Sequence, residues 1–148
     1  MTEHGLEAWA GLLKVHAALV PVLDQVLQQS CDLPLTWYDV LLELNAAAPG
    51  RRLTMGELGE VAVVSRTRVS RVVDELVSAD LVTREANPDD RRSFHAVITA
   101  AGRKRLRAAA PAYLEAIRAE FSRHLTAAEA RAVASGLRKV LTAHEARP

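Results

Sequence analysis

Residues 53–99 read LTMGELGEVAVVSRTRVSRVVDELVSADLVTREANPDDRRSFHAVIT, and the order of patterns in this stretch decides the fold. Thr54-Met55-Gly56-Glu57 has capping-box spacing. There a threonine hydroxyl and a glutamate carboxylate each satisfy an amide that the start of a helix leaves unpaired. Met55, Leu58, Val61 and Ala62 give a short helix an inward face, and Val63-Val64 is a turn. Ser65 is placed to cap a second helix running to about residue 79. Val69, Val72, Val73, Leu76 and Val77 recur on one side of it, leaving Thr67, Arg68, Arg71, Asp74, Glu75 and Ser78 on the other. Asp80 ends this helix. Residues 81–85 and 93–99 read as strands, with Phe94, Ala96 and Ile98 on one face. Between them, Asn87-Pro88-Asp89-Asp90-Arg91-Arg92 is turn chemistry with charge at the tip. At Leu53 a single-residue bridge to the later hairpin fits.

A short strand, two helices joined by a tight turn, and a hairpin make a winged helix-turn-helix. Upstream, Leu6, Trp9, Leu12, Leu13, His16, Leu19, Val20, Leu23, Val26 and Leu27 keep helical spacing over 6–29. That stripe is broad and calls for more than one packing neighbour. Pro21 within it predicts a kink, or two helices end to end. Thr36 is expected to cap a second helix, with Asp39 in its first turn, Trp37, Val40, Leu41 and Leu44 on its apolar face, and Ala48-Pro49-Gly50 as its stop. Downstream, Thr99 can cap a helix over 100–124 with Leu106, Tyr113, Leu114, Ile117 and Phe121 in its stripe and Pro111 as a second kink. Thr126 and Glu129 form another capping box. It opens a last helix carrying Val133, Leu137, Val140 and Leu141, with a frayed tail from residue 143. The expected class is mostly α with a small β-hairpin wing (α+β). Scaffold and dimerisation helices take 1–48, the winged helix-turn-helix 49–99, and C-terminal dimerisation helices 100–148.

The 148 residues suffice for one domain with a real core, and 49% hydrophobic content with 4% aromatics favours a helix-rich globular chain. A lone Cys31 excludes an internal disulfide and suits a reducing compartment. No basic flank precedes an apolar run at the N-terminus, and the apolar runs are short and interrupted, so neither a signal peptide nor a membrane span is expected. The expected location is the cytoplasm. Net charge is +1, but residues 1–50 hold one lysine against six acids, whereas 51–110 hold twelve basic residues against eight acids. A polyanion partner and an ordinary solvated surface both fit that asymmetry.

The helix at 65–79 has the makings of a groove reader. Thr67, Arg68 and Arg71 sit outward near its N-terminus, where arginine can grip guanine and threonine can meet a thymine methyl. Arg66 lies nearer the core edge, suited to a phosphate. Two arginines on the narrow turn at 89–92 suit a minor groove, whose negative potential attracts them. One neighbouring carboxylate could hold a guanidinium in place while the other arginine reaches outward. A winged domain used for protein–protein assembly would keep the helices but need no basic tip. Cys31 has an acidic neighbour, Asp32, and no basic flank, the opposite of what a reactive thiol needs. His4, His16, His95, His124 and His144 show no ligand spacing, so neither metal nor cofactor is expected. There is no Gly-rich phosphate loop, paired-carboxylate cleft or nucleophile elbow, and no enzyme is expected.

Ser65 with Ser70-Arg71-Val-Val-Asp74-x-Leu76, then Leu81-Val82, Asp89-x-Arg91-Arg92 and Ile98-Thr99-x-x-Gly102, together resemble the MarR (multiple antibiotic resistance regulator) family over essentially the whole chain. The resemblance implies a homodimeric regulator, here expected to be a ligand-released repressor. Its terminal helices interleave and its two wings straddle a pseudo-palindromic double-stranded operator with half-sites roughly 10 bp apart. By position it implies that Thr67, Arg68, Ser70 and Arg71 meet the major groove and Arg91 the minor groove, with Ser65, Arg66 and Arg92 completing the expected DNA-binding set. Asp74 would orient a wing arginine, with Arg92 the candidate, and Asp89 would support the tip. It also implies a small aromatic or phenolic effector, for which Trp9, His16, Trp37 and Tyr38 are candidate lining residues. Two residues depart from the family pattern. Asp80 replaces a common glycine at the helix end, where aspartate tolerates a left-handed backbone better than most residues. Glu75 replaces a common arginine and lowers the local positive charge.

Overall fold

The computed structural model describes residues 3–47, 50 and 52–146. The helix stop expected at Ala48-Pro49, and Arg51, lie outside them. In chain order the elements are α1 (Glu3–Cys31), α2 (Leu35–Ala46), β1 (Arg52–Thr54), α3 (Met55–Val61), α4 (Arg66–Ser78), β2 (Val82–Ala86), β3 (Phe94–Ile98), α5 (Ala100–Glu120) and α6 (Ala127–Glu145), with a 3-10 turn at Ser122–His124. The chain divides into two compact units, 1–113 and 114–148, and α5 begins in the first and ends in the second.

In the first unit the apolar faces of α2, α4 and the sheet meet. Val40, Leu41, Leu44, Leu58, Val73, Leu76 and Ala96 are wholly buried. The sheet is antiparallel in the order β1-β3-β2. Leu53 sits opposite Ala96 within a three-residue strand, so the expected single-residue bridge is a short but true strand. Ala96 and Ile98 face the core as the alternation requires, while Phe94 on the same face lies beyond its edge and is half exposed. Val61, expected inward, is also half exposed at the end of α3.

The ends of these elements follow from short-range chemistry. Thr54 and Glu57 form the reciprocal capping box that starts α3. α4 ends in a Schellman arrangement: the Leu81 and Asp80 amides donate to the carbonyls of Leu76 and Val77, both at 3.0 Å. Asp80 takes the left-handed backbone this needs, with φ +60°. Thr99 ties the next corner. Its hydroxyl donates to the Asp80 carbonyl at 2.9 Å and accepts from the Gly102 amide at 2.9 Å, which starts α5. Here α5 passes so close to the head of β2 that a Cβ at Gly102 would collide with the Leu81 carbonyl. Glycine is required by that approach.

Three expectations at the first two helices change. α1 runs unbroken through Pro21. Both Pro21 and Ala17, whose carbonyl loses its amide partner, are exposed, so water can satisfy that carbonyl. Taken unbroken, α1 is long and apolar enough to cross a membrane by length and composition, with mean hydropathy 1.4 over its most apolar 18 residues, contrary to the expectation of interrupted runs. Thr36 is not the cap of α2. The helix starts at Leu35, whose amide donates to Asp24 Oδ1 of α1 at 2.8 Å, so the cap comes from a neighbouring helix. Asp32, at φ +50°, ends α1, and Arg105 of α5 donates to its carbonyl at 2.7 Å.

Away from this core the apolar stripes stay open. Leu27 is the one buried residue of α1, while Leu6, Trp9, Leu12, Leu13 and Val15 are exposed. In the second unit the Thr126–Glu129 capping box opens α6 as the spacing predicts, and the helix persists to Glu145 rather than fraying from 143. Likewise α5 continues through Pro111. No α6 residue is buried, and Val133, Leu137, Val140 and Leu141 are exposed.

Candidate nucleic-acid interface

α4 turns Val69, Val72, Val73 and Leu76 into the core and leaves Ser65, Arg66, Thr67, Arg68, Ser70 and Arg71 exposed on its other side. Ser65 occupies the cap position, but its side chain takes no first-turn amide, and its Oγ lies 3.3 Å from Thr67 Oγ1. The start of the helix is therefore not sealed by its own side chain. A Cβ at Gly59 would sit 3.1 Å from Arg66 Cγ, so the glycine lets Arg66 cross close to α3, where its guanidinium stands 3.5 Å from Glu60.

The turn before α4 is held from α2. Asp39 Oδ2 accepts the Val63 amide at 2.8 Å. Burial pushes its carboxyl above the ordinary value, and the amides of Val63 and Val64 pull partly the other way. A second tie joins the same two helices: Trp37 Nε1 donates to Glu75 Oε2 at 2.9 Å, and Glu75 Oε1 lies 3.4 Å from Arg71 Nε.

Asp74 pairs with Arg84 of β2, not with Arg92. Arg84 stands where the strand passes α4. Arg92 instead lines an open cavity of about 430 Å³ at the foot of the wing, with Thr54, Asn87 and Phe94. The tip is braced internally: Asn87 Oδ1 accepts the Asp89 amide at 3.0 Å, Asp90 Oδ1 accepts the Arg92 amide at 2.9 Å, and Asn87 Nδ2 donates to Ser93 Oγ at 2.8 Å. Asp89 thus supports the tip through its backbone, and the carboxylate that holds the turn is that of Asp90. Among the described residues neither Arg91 nor Arg92 has an ion-pair partner, and both are exposed.

The four candidate cleft residues do not share one environment. Tyr38 is 4% exposed, with its ring 4.4 Å from that of Tyr113, and Trp37 is half-buried and committed to Glu75. Trp9 and His16 lie on the exposed part of α1. Burial of the Tyr38–Tyr113 pair pushes both phenols above their ordinary value. Among the described residues no group of three His, Cys, Asp or Glu is placed to hold a metal.

A family model described as MarR family matches residues 32–93. Over the full length, the chain is 30% identical to Sco3205, a MarR family transcriptional regulator from Streptomyces coelicolor solved in complex with DNA. The alignment covers 100% of this chain and 91% of that one, at a TM-score of 0.83. This chain belongs to the MarR family. Members are transcription regulators, not enzymes, and the α4-and-wing face is the winged helix of this MarR family member. AbsC, another such regulator from Streptomyces coelicolor, is 26% identical over 99% of this chain and 98% of its own, at a TM-score of 0.82. BpsR of Bordetella bronchiseptica, whose DNA binding is regulated by 6-hydroxynicotinic acid, shares the fold at 22% identity, covering 87% of this chain and 89% of its own, with a TM-score of 0.75. No curated protein matches significantly.

The ties that Asp39, Arg84 and Glu75 make to other elements escaped the sequence reading. Each acts on a partner 10 to 38 residues away, and no local spacing marks such pairs.

Proposed function

We propose that this MarR family chain is a homodimeric, sequence-specific DNA-binding repressor, released by a small aromatic or phenolic ligand and acting in the cytoplasm. The observation that carries DNA reading is the exposed face Ser65, Arg66, Thr67, Arg68, Ser70 and Arg71 standing beside an internally braced wing with two exposed guanidinia. α4 would enter the major groove, with Arg66 at a phosphate, and Arg91 the minor groove. Arg92 would reach the adjacent backbone, while Asp74 and the 87–93 turn hold the wing.

The uncovered stripe of α1, and separately that of α6, support a second copy as partner. Helices 1–48 and 100–148 would form the dimer and 49–99 would read DNA. Covered by a second copy, Trp9 and His16 become interface residues. That leaves Trp37, at the junction of α2 and α4, as the best placed of the four cleft candidates to sense an effector. A relative regulated by a hydroxylated aromatic acid supports that ligand class.

Duplexes selected by the protein from a random pool, titrated at two salt concentrations, test this. Binding should weaken steeply with salt, each neutralised phosphate adding ~0.9 to the log–log slope. Arg71→Ala should cost about 1–3 kcal/mol at one base pair and relax preference there. A uniform loss across sequences would assign Arg71 to a phosphate instead. A protein that selects no sequence would sink the reading.

A further inference from the structure

We propose that Glu75 is a positioning residue for base readout: anchored by the Trp37 indole of α2, its carboxylate aims the Arg71 guanidinium of α4 and confers discrimination at the base pair Arg71 meets. This rests on the DNA-reading role proposed above.

Arg71 is a long side chain, 84% exposed. An arginine so placed samples many rotamers, and an exposed ion pair one turn away restrains it little. What sets this pair apart is that the carboxylate is itself held. Trp37 Nε1 donates to Oε2 at 2.9 Å across two helices, leaving Oε1 turned to Arg71 Nε at 3.4 Å. Arg71 meets Glu75 through Nε, so its two terminal nitrogens remain for the N7 and O6 acceptors of a guanine. The anchor is made at the start of α2 and the contact on α4, so a shift of α2 would reach the reading arginine through a single side chain. Glu75 also stands close to a polyanion when DNA is bound, and its charge penalises every duplex alike. Fixing the arginine while repelling phosphate raises specificity at the expense of raw affinity.

The test compares wild type, Arg71→Ala, Glu75→Gln, the double variant and Trp37→Phe. The probes are the duplex selected by wild type, its single-base variants across one half-site, and a random duplex. Glu75→Gln keeps an acceptor for Trp37 and removes the charge, and Trp37→Phe keeps the ring and removes the donor. Glu75→Gln is expected to lose about tenfold of discrimination at the base pair that Arg71→Ala affects, and at no other. The double variant should be no worse there than Arg71→Ala alone. Random-duplex affinity should rise for Glu75→Gln but not for Trp37→Phe, which should still show the site-restricted loss. If Glu75→Gln tightens binding to all duplexes equally with base preferences unchanged, the proposal is overturned. If base preferences change only for Glu75→Gln and not for Trp37→Phe, the anchor is overturned. If wild type selects no sequence, the DNA-reading role falls, and this inference with it.

Discussion

α4 and α1 are both amphipathic, yet one chain satisfies only the first. α4 covers Val69, Val72, Val73 and Leu76 with α2, α3 and the sheet, and shows solvent an arginine-rich face. α1, more than twice as long, buries Leu27 alone and leaves Trp9 and Leu13 at least half exposed. An exposed apolar surface of that extent is what a second copy covering α1, as proposed above, would bury. The winged region thus buries its apolar face within one chain, whereas α1 leaves most of its apolar stripe uncovered.

The strongest way to break this contrast is Leu13→Asp. If a second copy covers α1, the variant should run as a monomer in sedimentation. It should also lose operator affinity by about a hundredfold or more, because two half-sites are no longer held together. A wild-type chain that is itself monomeric would refute the comparison. On the other side, Gly102→Ala should destabilise the winged region by about 2–3 kcal/mol, since a Cβ meets the Leu81 carbonyl backbone and nothing flexible can yield. Urea unfolding would read this. A neutral result would mean that the α5–β2 corner is looser than its Thr99 ties imply. Asp80→Gly should work in the opposite direction, raising stability by about 0.5–1 kcal/mol through relief of the left-handed backbone.

Asp39 offers a smaller effect with a definite sign. Burial raises its carboxyl above the ordinary 3.8. A raised value means that the folded chain holds the proton more tightly than the unfolded one. The stabilisation is therefore complete below the ordinary value and lost as pH rises through the raised one. Asp39→Asn keeps an acceptor for the Val63 amide and abolishes the titration. The stability gap between the two proteins, read from urea midpoints, should shift toward the variant as pH climbs through that window. A gap independent of pH would show that Asp39 gains nothing by protonation.

Much of the fold was legible because its determinants lie three or four residues apart. The boxes at Thr54–Glu57 and Thr126–Glu129, the Thr99 cap and the turn at Asp80 are local arrangements, and the structure contains each. Ser65 and Thr36 show the limit of that logic. Either could cap, but Ser65 makes no side-chain bond to an amide, and α2 takes its cap from Asp24. The exposed, arginine-bearing face of α4 was legible too, since helical periodicity alone separates its valines from its arginines.

Which groups hold those arginines was not legible. Asp74 could have met any wing arginine, and strand register hands it Arg84. Glu75 looked like a lost positive charge until the packing of α2 on α4 brought the Trp37 indole to it. By itself the sequence determined the winged architecture, the outward arginines and the charged tip, because periodicity and capping act within a turn or two of chain. Only the tertiary structure decided the partners of Asp39, Asp74 and Glu75. Those contacts join segments distant in sequence, and their pairing follows from how helices and strands pack.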